Sequence, residues 1–523
     1  MSTTPTPVTP IDAPAADVTE RIAAPRVPVG EHLLERLRAV CAQVTVDDGE
    51  RAEAGRDWWP LAIRWATRGA VPARPAVVAR PGDADQVAAV LAACHDARVP
   101  VTPVAGRSGV CGASVPVFGG VSLDLCGLSG IVDVDTTSLV AEVLPGTFGP
   151  DLEAELRARG TTLGHWPQSM DLSTVGGWLA CRGAGQYSTR YGKIEDMVTG
   201  LEVALADGRV IRTGGTGPRA ALGPDLTQLF VGSEGVLGVI TEAQLRLHPL
   251  PPAEGRRAYA FRGFAEGLEV CRRVLQRGAT PAVLRLYDHS ESARNFEHEE
   301  QSALVVLDEA DGAILDATLR IVDDECAAAG AVALDENVVE RWLGHRNDVS
   351  ALAPLYRAGI VVDTIEIAAR WSTLPTLYDT CVSSLLELEG TLAASAHQSH
   401  AYVDGACLYF TFAGRMPEEA SSAPGPADPA VGAGDTGADA KADAWAERYY
   451  TSAWRVVMDA VRARGGAISH HHGVGINRGR FMAEALGGGF DVLVGLKDSL
   501  DPRGILNPGK LGLPSPFGEV LWP

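Results

Sequence analysis

Lysine is almost missing from this chain: Lys193, Lys441, Lys497 and Lys510 are the only four in 523 residues. Positive charge is therefore arginine, and it is outnumbered, with 45 basic against 66 acidic residues for a formal charge of −21. That balance excludes a nucleic-acid partner, which needs a positive footprint, and leaves any anionic ligand to local arginines. No uninterrupted apolar run approaches the roughly 20 residues of a membrane-spanning helix. The N-terminus "MSTTPTPVTPIDAPAADVTE" lacks a basic segment followed by an apolar one. A soluble, cytoplasmic protein without a transmembrane segment is expected. Nine cysteines run from Cys41 to Cys407 with no CxxC pair, which predicts reduced thiols rather than a disulfide frame or a zinc site, so no metal is expected. The absence of GxxxxGK[ST] excludes a P-loop nucleotidase.

What is present divides into segments. Residues 1–30, rich in Pro, Thr and Ala, read as a disordered tail, and residues 31–73 as a helical segment opened by "EHLLERLRAVCAQV". In "AVVARPGDADQVAAVLAACHDARVPVTPVAG", Val77–Arg80 reads as a strand and Asp83 with Gln86 as a helix cap. Val87, Val90, Leu91 and Cys94 then share one helix face, and Val99–Val104 returns as a second strand, giving a βαβ unit. The glycine-rich run Ala105–Gly112 follows that second strand, whereas a Rossmann fingerprint lies between strand and helix. The chain's literal GxGxxG, Gly432–Gly437, sits in low-complexity sequence with no strand before it, and reads as part of a flexible insertion over 415–443. "LEVALADGRVI" reads as a hairpin turning at Asp207-Gly208, and "LFVGSEGVLGVITEAQLRL" as further short strands. The patterning changes near residue 250. The segments expected are thus 74–250, then 251–464 as a cap carrying the insertion, then 465–523 returning to the first.

Three glycine-rich stretches fall in the first of these: "PVAGRSGVCGA", "STVGGWLACRGAG" and "GSEGVLGVI". Each alone is as well read as a tight turn. Together with the βαβ opening they suit a large nucleotide cofactor, because glycine allows N–H groups to converge on a pyrophosphate or approach a flat ring.

"STVGGWLACRGAGQYSTRYGKIEDMV", "FVGSEGVLGVITEAQLRL", "PAVLRLYD", "DGACLYFTF" and "SHHHGVGINR" together resemble the alkyldihydroxyacetonephosphate synthase branch of the FAD-linked oxidase superfamily, which also holds vanillyl-alcohol oxidase and the D-lactate dehydrogenases. The resemblance spans roughly residues 75–510. It implies an α+β fold, with a two-part FAD domain of the vanillyl-alcohol oxidase type and an α+β cap. By the family pattern Pro103, Val104, Ala105, Gly106, Arg107, Ser108 and Gly109 wrap the pyrophosphate. Gln168, Ser169, Ser173, Thr174, Gly176 and Gly177, then Cys181, Arg182, Gly183 and Ala184, run along the flavin ring. Glu234, Gly235, Gly238, Val239 and Ile240 close the third side. Arg107 stands where relatives have Gly or Thr, and no His lies in the first loop, which implies non-covalent FAD.

The same resemblance makes Tyr409 catalytic and places His470, His471 and His472 in the active site, where an imidazole can take a proton from carbon. Arg357 falls at the family's substrate-binding arginine and Arg285 at a second one near the flavin, with Arg357 the preferred anion anchor. Hydroxy-acid dehydrogenase relatives carry DGNLH, with a metal-binding His, where this chain has Asp404-Gly405-Ala406-Cys407-Leu408-Tyr409; His400 keeps a metal alternative open. The implied activity is exchange of the acyl group of an acyl-dihydroxyacetone phosphate for a fatty alcohol, as in ether-lipid synthesis. The alternative is an FAD-dependent oxidase or dehydrogenase of a hydroxy acid or alcohol. A small-molecule or lipid-phosphate substrate, peripheral membrane contact and a homodimer are all compatible with it.

Overall fold

The computed structural model describes residues 9–297, 301–348, 352–418 and 437–521. It divides into two units, Met1–Pro251 with His471–Pro523, and Pro252–His470. The fold is α+β.

In the first unit, β1 (Gln43–Thr45), β2 (Val77–Arg80), β3 (Val101–Val104) and β4 (Val121–Asp124) form a sheet in the order β1-β2-β4-β3. β2 and β3 both run parallel to β4, with α1 (Ala84–Ala97) as the crossover. Asp83 caps α1 by accepting the N–H of Gln86 at 2.8 Å, while the Gln86 side chain accepts the N–H of Gly82 at 2.9 Å, so both ends of the entry turn are satisfied. Val87, Val90, Leu91 and Cys94 are all fully buried on one face.

Residues 31–73 carry helices as expected, Glu31–Val40, Asp48–Glu53 and Pro60–Ala66, and they pack into the first unit, since β1 pairs with β2 and Leu33, Leu34 and Leu37 join the core of α1. The expectation of a disordered tail is corrected. Of the tail, residues 1–8 lie outside the described residues, but Thr19–Glu20 pairs with Ala70–Val71, and Val18 and Ile22 are buried. Two apolar side chains with somewhere to go outweigh the Pro- and Thr-rich composition.

The other sheet of this unit holds β5 (Ile131–Asp135), β6 (Val140–Val143), β7 (Val198–Ala204), β8 (Val210–Gly214) and β9 (Val239–Arg246), in the order β8-β7-β9-β6-β5. β7 and β8 are the expected hairpin, turning at Gly208 with φ +86°. "LFVG" is not a strand: Thr227–Phe230 is a helical turn, and β9 starts at Val239.

The second unit is a seven-stranded sheet of β10 (Ala253–Phe261), β11 (Val283–Tyr287), β12 (Ser302–Ala310), β13 (Val332–Leu334), β14 (Ile360–Arg370), β15 (Thr391–Ala401) and β16 (Gly405–Arg415). Its order is β13-β10-β12-β11-β15-β16-β14. Strand alternation gives it two unlike faces. Phe412 packs on Tyr449 and Tyr450, and Asp363 accepts from Tyr450 at 2.6 Å and Trp454 at 2.9 Å, all three on the helix Gly437–Ala463. Leu408 and Phe410 share the side of Phe412, so Cys407, Tyr409 and Thr411 face the other way. That helix begins at Gly437, inside the insertion expected to reach 443, and residues 419–436 lie outside the described residues together with most of the GxGxxG.

Candidate active site

The three glycine-rich segments of the first unit meet through positions where no side chain fits. A Cβ on Gly106 would lie 2.2 Å from the carbonyl oxygen of Leu172, and one on Gly235 would lie 2.4 Å from the Pro103 ring. The first loop thus packs directly on both others. Arg107 and Glu234 take left-handed backbone, φ +53° and +49°, a conformation that costs a non-glycine residue about 1 kcal/mol or more. Thr174 caps Val175–Cys181, accepting from Gly177, and Arg182 ends that helix at φ +60°, exposed and paired with Glu195 at 3.4 Å. Ser173 accepts from the Trp178 indole at 2.7 Å, while Gln168 is exposed and Ser169 half-buried. Gly183 and Ala184 are buried, as are Gly238, Val239 and Ile240.

The segment after His470 completes this region. The carboxylate of Glu234 accepts the N–H groups of Val474, at 2.5 Å, and Gly475, at 2.8 Å, and the carbonyl of Cys111 accepts those of Ile476 and Asn477. Asn507 donates to the carbonyl of Glu234 at 2.7 Å. The same unit buries two charges that sequence reasoning missed, Asp57 and Lys510, each 1% exposed. Burial pushes the Asp57 carboxyl up to about 7 and the Lys510 ammonium down to about 7, each against the pull of the other's charge. Asp57 lies in "AGRDWWPLAIRWA", whose density of Trp and Arg was the available signal. His471 and His472 are half-buried with their rings 4.4 Å apart.

These residues fit FAD. Among the described residues the N–H groups of Gly106, Arg107, Ser108 and Gly109 donate to no protein acceptor, and the buried Nε of Arg107 has no partner. Converging donors left over in a protein this acidic suit a pyrophosphate.

The second unit brings polar groups together on the sheet face opposite the helix. Tyr409 lies across from His397 on β15 and from Glu366 on β14, and His397 lies across from Tyr287 on β11. The imidazole of His397 is sandwiched between Tyr287 and Tyr409, with both ring centroids 5.0 Å away. Its Nδ1 is 2.7 Å from Glu291, and its Nε2 is 2.8 Å from Nη2 of Arg285. A guanidinium can only donate, so Nε2 accepts and the proton sits on Nδ1, directed at Glu291. His397 is therefore neutral, and burial pushes its pKa below the ordinary value against the opposing pull of Glu291. Burial resists ionisation of Glu291, but interactions with His397, Arg294 and Thr411 hold its pKa below the ordinary carboxylate value. Since His397 is neutral, its share of that pull is its hydrogen bond rather than charge.

Arg285, 8% exposed, is clamped by His397, by the Tyr287 hydroxyl at 3.2 Å and by the faces of Tyr287 and Trp342. Tyr409 is half-buried; its phenol oxygen accepts from Thr364 at 3.0 Å, and burial raises its pKa. Glu366, fully buried, accepts from the Ser469 hydroxyl at 3.0 Å and from the N–H of His470, the last two residues of the second unit.

The structure thus brings Tyr409 and Arg285 together and leaves Arg357 elsewhere. Arg357 is exposed in the last turn of Leu352–Arg357. Its strand begins at Ile360, about 20 Å of extended chain from Glu366, the residue opposite Tyr409. Preferring it to Arg285 rested on sequence register, which cannot show that the helix ends before the strand reaches the polar face. Glu291, His397 and Glu366 were also missed. They sit in unremarkable sequence, and only strand pairing reveals them.

Comparison with known proteins identifies both parts of the chain. Residues 75–214 match the family described as "FAD binding domain", and residues 251–511 match "FAD linked oxidases, C-terminal domain". An uncharacterised FAD-linked oxidoreductase of Escherichia coli (strain K12) is 28% identical over 84% of this chain and 89% of its own length. Alkyldihydroxyacetonephosphate synthase of Dictyostelium discoideum is 27% identical over 85% of this chain and 74% of its own. A solved alkyldihydroxyacetonephosphate synthase superposes with a TM-score of 0.76 at 24% identity, covering 96% of this chain and 88% of that one. With its glycine-built cradle and both family regions matched, the chain belongs to the FAD-linked oxidases.

Proposed function

We propose that this chain is a flavoenzyme of the alkyldihydroxyacetonephosphate synthase type, exchanging the acyl group of an acyl-dihydroxyacetone phosphate for a fatty alcohol. The observation that carries this is the pairing of a fixed cation with a phenol on one sheet face. Among the described residues Arg285 engages two of its five N–H groups, one with His397 and one with Tyr287, and so keeps donors for an oxyanion such as phosphate. Tyr409 takes a hydrogen bond from Thr364 and stays protonated at neutral pH, so it acts as a proton donor to a substrate oxygen.

FAD, when bound, supplies the reactive isoalloxazine ring for a reaction with no net redox change. Residues 103–109, 168–184 and 234–240 would hold it, non-covalently, since the first loop has no His. A histidine of the 470–472 run takes the C1 proton, Tyr409 protonates the departing carboxylate, and Arg285 holds the phosphate. Small-molecule and lipid-phosphate substrates both suit this chemistry. Among the described residues no helix is long and apolar enough to cross a membrane.

A second reading, oxidation of a hydroxy acid or alcohol, is favoured by one observation: Arg285 would grip a carboxylate as well as a phosphate. Anaerobic incubation of the FAD-loaded protein separates the two. Release of fatty acid from an acyl-dihydroxyacetone phosphate in the presence of fatty alcohol, with the flavin still oxidised, supports the exchange. Bleaching of the flavin by a hydroxy acid, without such release, overturns it.

A further inference from the structure

Behind Arg285 the polar face of the second unit holds a chain of hydrogen bonds that runs one way. Nη2 of Arg285 donates to Nε2 of His397, 2.8 Å away, and Nδ1 of His397 donates to Oε2 of Glu291, 2.7 Å away. The direction is fixed from the far end. Glu291, 2% exposed on the helix His289–Phe296, is held through its other oxygen as well: Oε1 accepts from the Ser395 hydroxyl at 3.2 Å and the Thr411 hydroxyl at 3.0 Å, and pairs with Arg294 at 3.1 Å. A carboxylate so placed only accepts, so the imidazole proton stays on Nδ1 and Nε2 keeps its lone pair for Arg285. Nor is the ring free to turn, since Tyr287 and Tyr409 stack on its two faces.

We infer that Glu291 and His397 are positioning residues for the oxyanion anchor, aiming the Arg285 guanidinium while leaving its charge to the ligand; the inference rests on the anchoring role proposed for Arg285. A carboxylate set directly against a guanidinium takes two N–H groups in a fork and cancels its charge. A neutral imidazole placed between them takes one N–H and brings no charge of its own. Among the described residues no carboxylate pairs with Arg285, although Glu291 stands one imidazole away. The Glu291 charge also makes Nε2 a stronger acceptor, as a carboxylate does behind a metal-bound histidine. The Tyr287 hydroxyl takes a second N–H at 3.2 Å, and the ring faces of Tyr287 and Trp342, centred 5.8 and 5.7 Å from the guanidinium carbon, accept the cation without using a donor. The remaining N–H groups belong to a guanidinium held from behind. The same imidazole stacks on Tyr409, so the cation and the phenol are both registered against one ring.

The test is calorimetric titration of the full-length FAD-loaded protein with two probes, dihydroxyacetone phosphate and oxalate, in the absence of turnover. His397→Leu keeps the bulk but offers no acceptor, and should weaken probe binding about tenfold or more. His397→Gln, whose amide oxygen can stand in for Nε2, should stay within about threefold of the unmodified protein. Glu291→Gln should match His397→Leu without touching the ligand. Ser395, Thr411 and Arg294 all donate on the Oε1 side, so the amide oxygen takes that side and the NH2 faces Nδ1; the imidazole proton then moves to Nε2, against a guanidinium N–H. His289→Gln, exposed on the same helix, should leave binding unchanged. Circular dichroism and melting report the folding of each variant, and Glu291→Gln, which alters a single atom, stands in for His397→Leu if that variant does not fold. Binding by His397→Leu and Glu291→Gln equal to that of the unmodified protein overturns the proposal, as does an equal loss in His397→Gln and His397→Leu, which would leave the ring a packing role alone. Binding of oxalate but not dihydroxyacetone phosphate, with the same order of variants, upholds the positioning roles and sinks the exchange reaction. Neither probe bound by the unmodified protein overturns Arg285 as anchor and the proposal with it.

Discussion

The glycine-built cradle of the first unit and the polar sheet face of the second do opposite things with the chain. In the cradle, backbone provides the donors and side chains are excluded; Gly106 and Gly235 are there because a Cβ would meet Leu172 or Pro103. On the sheet face, side chains do the work and the backbone is locked into strand pairing. Arg285, Glu291, His397 and Tyr409 are held by each other rather than by their own loops. A cradle of the first kind binds whatever flat anionic cofactor fits its outline. A face of the second kind can be retuned one side chain at a time, which lets related proteins share a fold and differ in reaction.

The comparison breaks hardest at the cradle. Gly106→Ala places a methyl 2.2 Å from a carbonyl oxygen, so the loop must move; bound FAD should fall at least tenfold and the melting temperature with it. Flavin absorbance per protein after gel filtration reports this. On the sheet face the effect should be kinetic. Arg285→Lys keeps the charge but loses the fork, and KM should rise about tenfold with flavin content unchanged. Arg357→Lys, at an exposed helix end, should leave KM within a factor of two, and a rise there equal to that of Arg285→Lys would reinstate Arg357 as the anion anchor.

Acid should attack the two regions over different ranges. His165, fully buried against Trp178 in the first unit, is held neutral by burial with a pKa near 3, so the stability this represents is complete above pH 6.5 and is lost as pH falls toward 3. The full loss is about 5 kcal/mol, and His165→Leu should flatten that limb of the stability profile. Glu291, held below the ordinary carboxylate range by its hydrogen-bonding and charged partners, contributes stability that is complete above about 4.5 and is lost as pH falls below that; Glu291→Gln should remove this dependence. Chemical denaturation at a series of pH values reads both. The smallest effect belongs to residues 419–436: replacing them with a Gly–Ser linker of equal length should leave flavin content and melting temperature nearly unchanged, because a Pro/Gly/Ala/Asp segment has little apolar surface to bury.

The two regions were also unequally legible in the sequence. Runs such as "STVGGWLACRGAG" announce a backbone-built site because the glycines are contiguous and the physical need for them is local. The βαβ unit was equally open, since the Asp83 cap and the apolar face of α1 are spacing rules within one helix. The sheet face was not. Glu291 and His397 are 106 positions apart, and their meeting depends on the pairing of β11 with β15, which no local pattern encodes. Tyr409 was found through resemblance, while Arg357 was preferred over Arg285 because linear register hides where a helix ends. The packed N-terminal residues were missed for a related reason, as the composition of 9–30 says nothing of the Ala70–Val71 strand waiting to pair with it.

The central claim is that the first unit holds the cofactor while Tyr409, in the second, acts on substrate, and the most direct test is turnover of Tyr409→Phe per molecule of bound FAD. The substitution removes one hydroxyl and keeps the ring that stacks on His397. The account predicts unchanged flavin content, a small loss of stability, and a fall in acyl-for-alkyl exchange of about a hundredfold or more. Exchange per bound flavin equal to that of the unmodified protein would contradict it and reduce Tyr409 to a packing residue of the sheet.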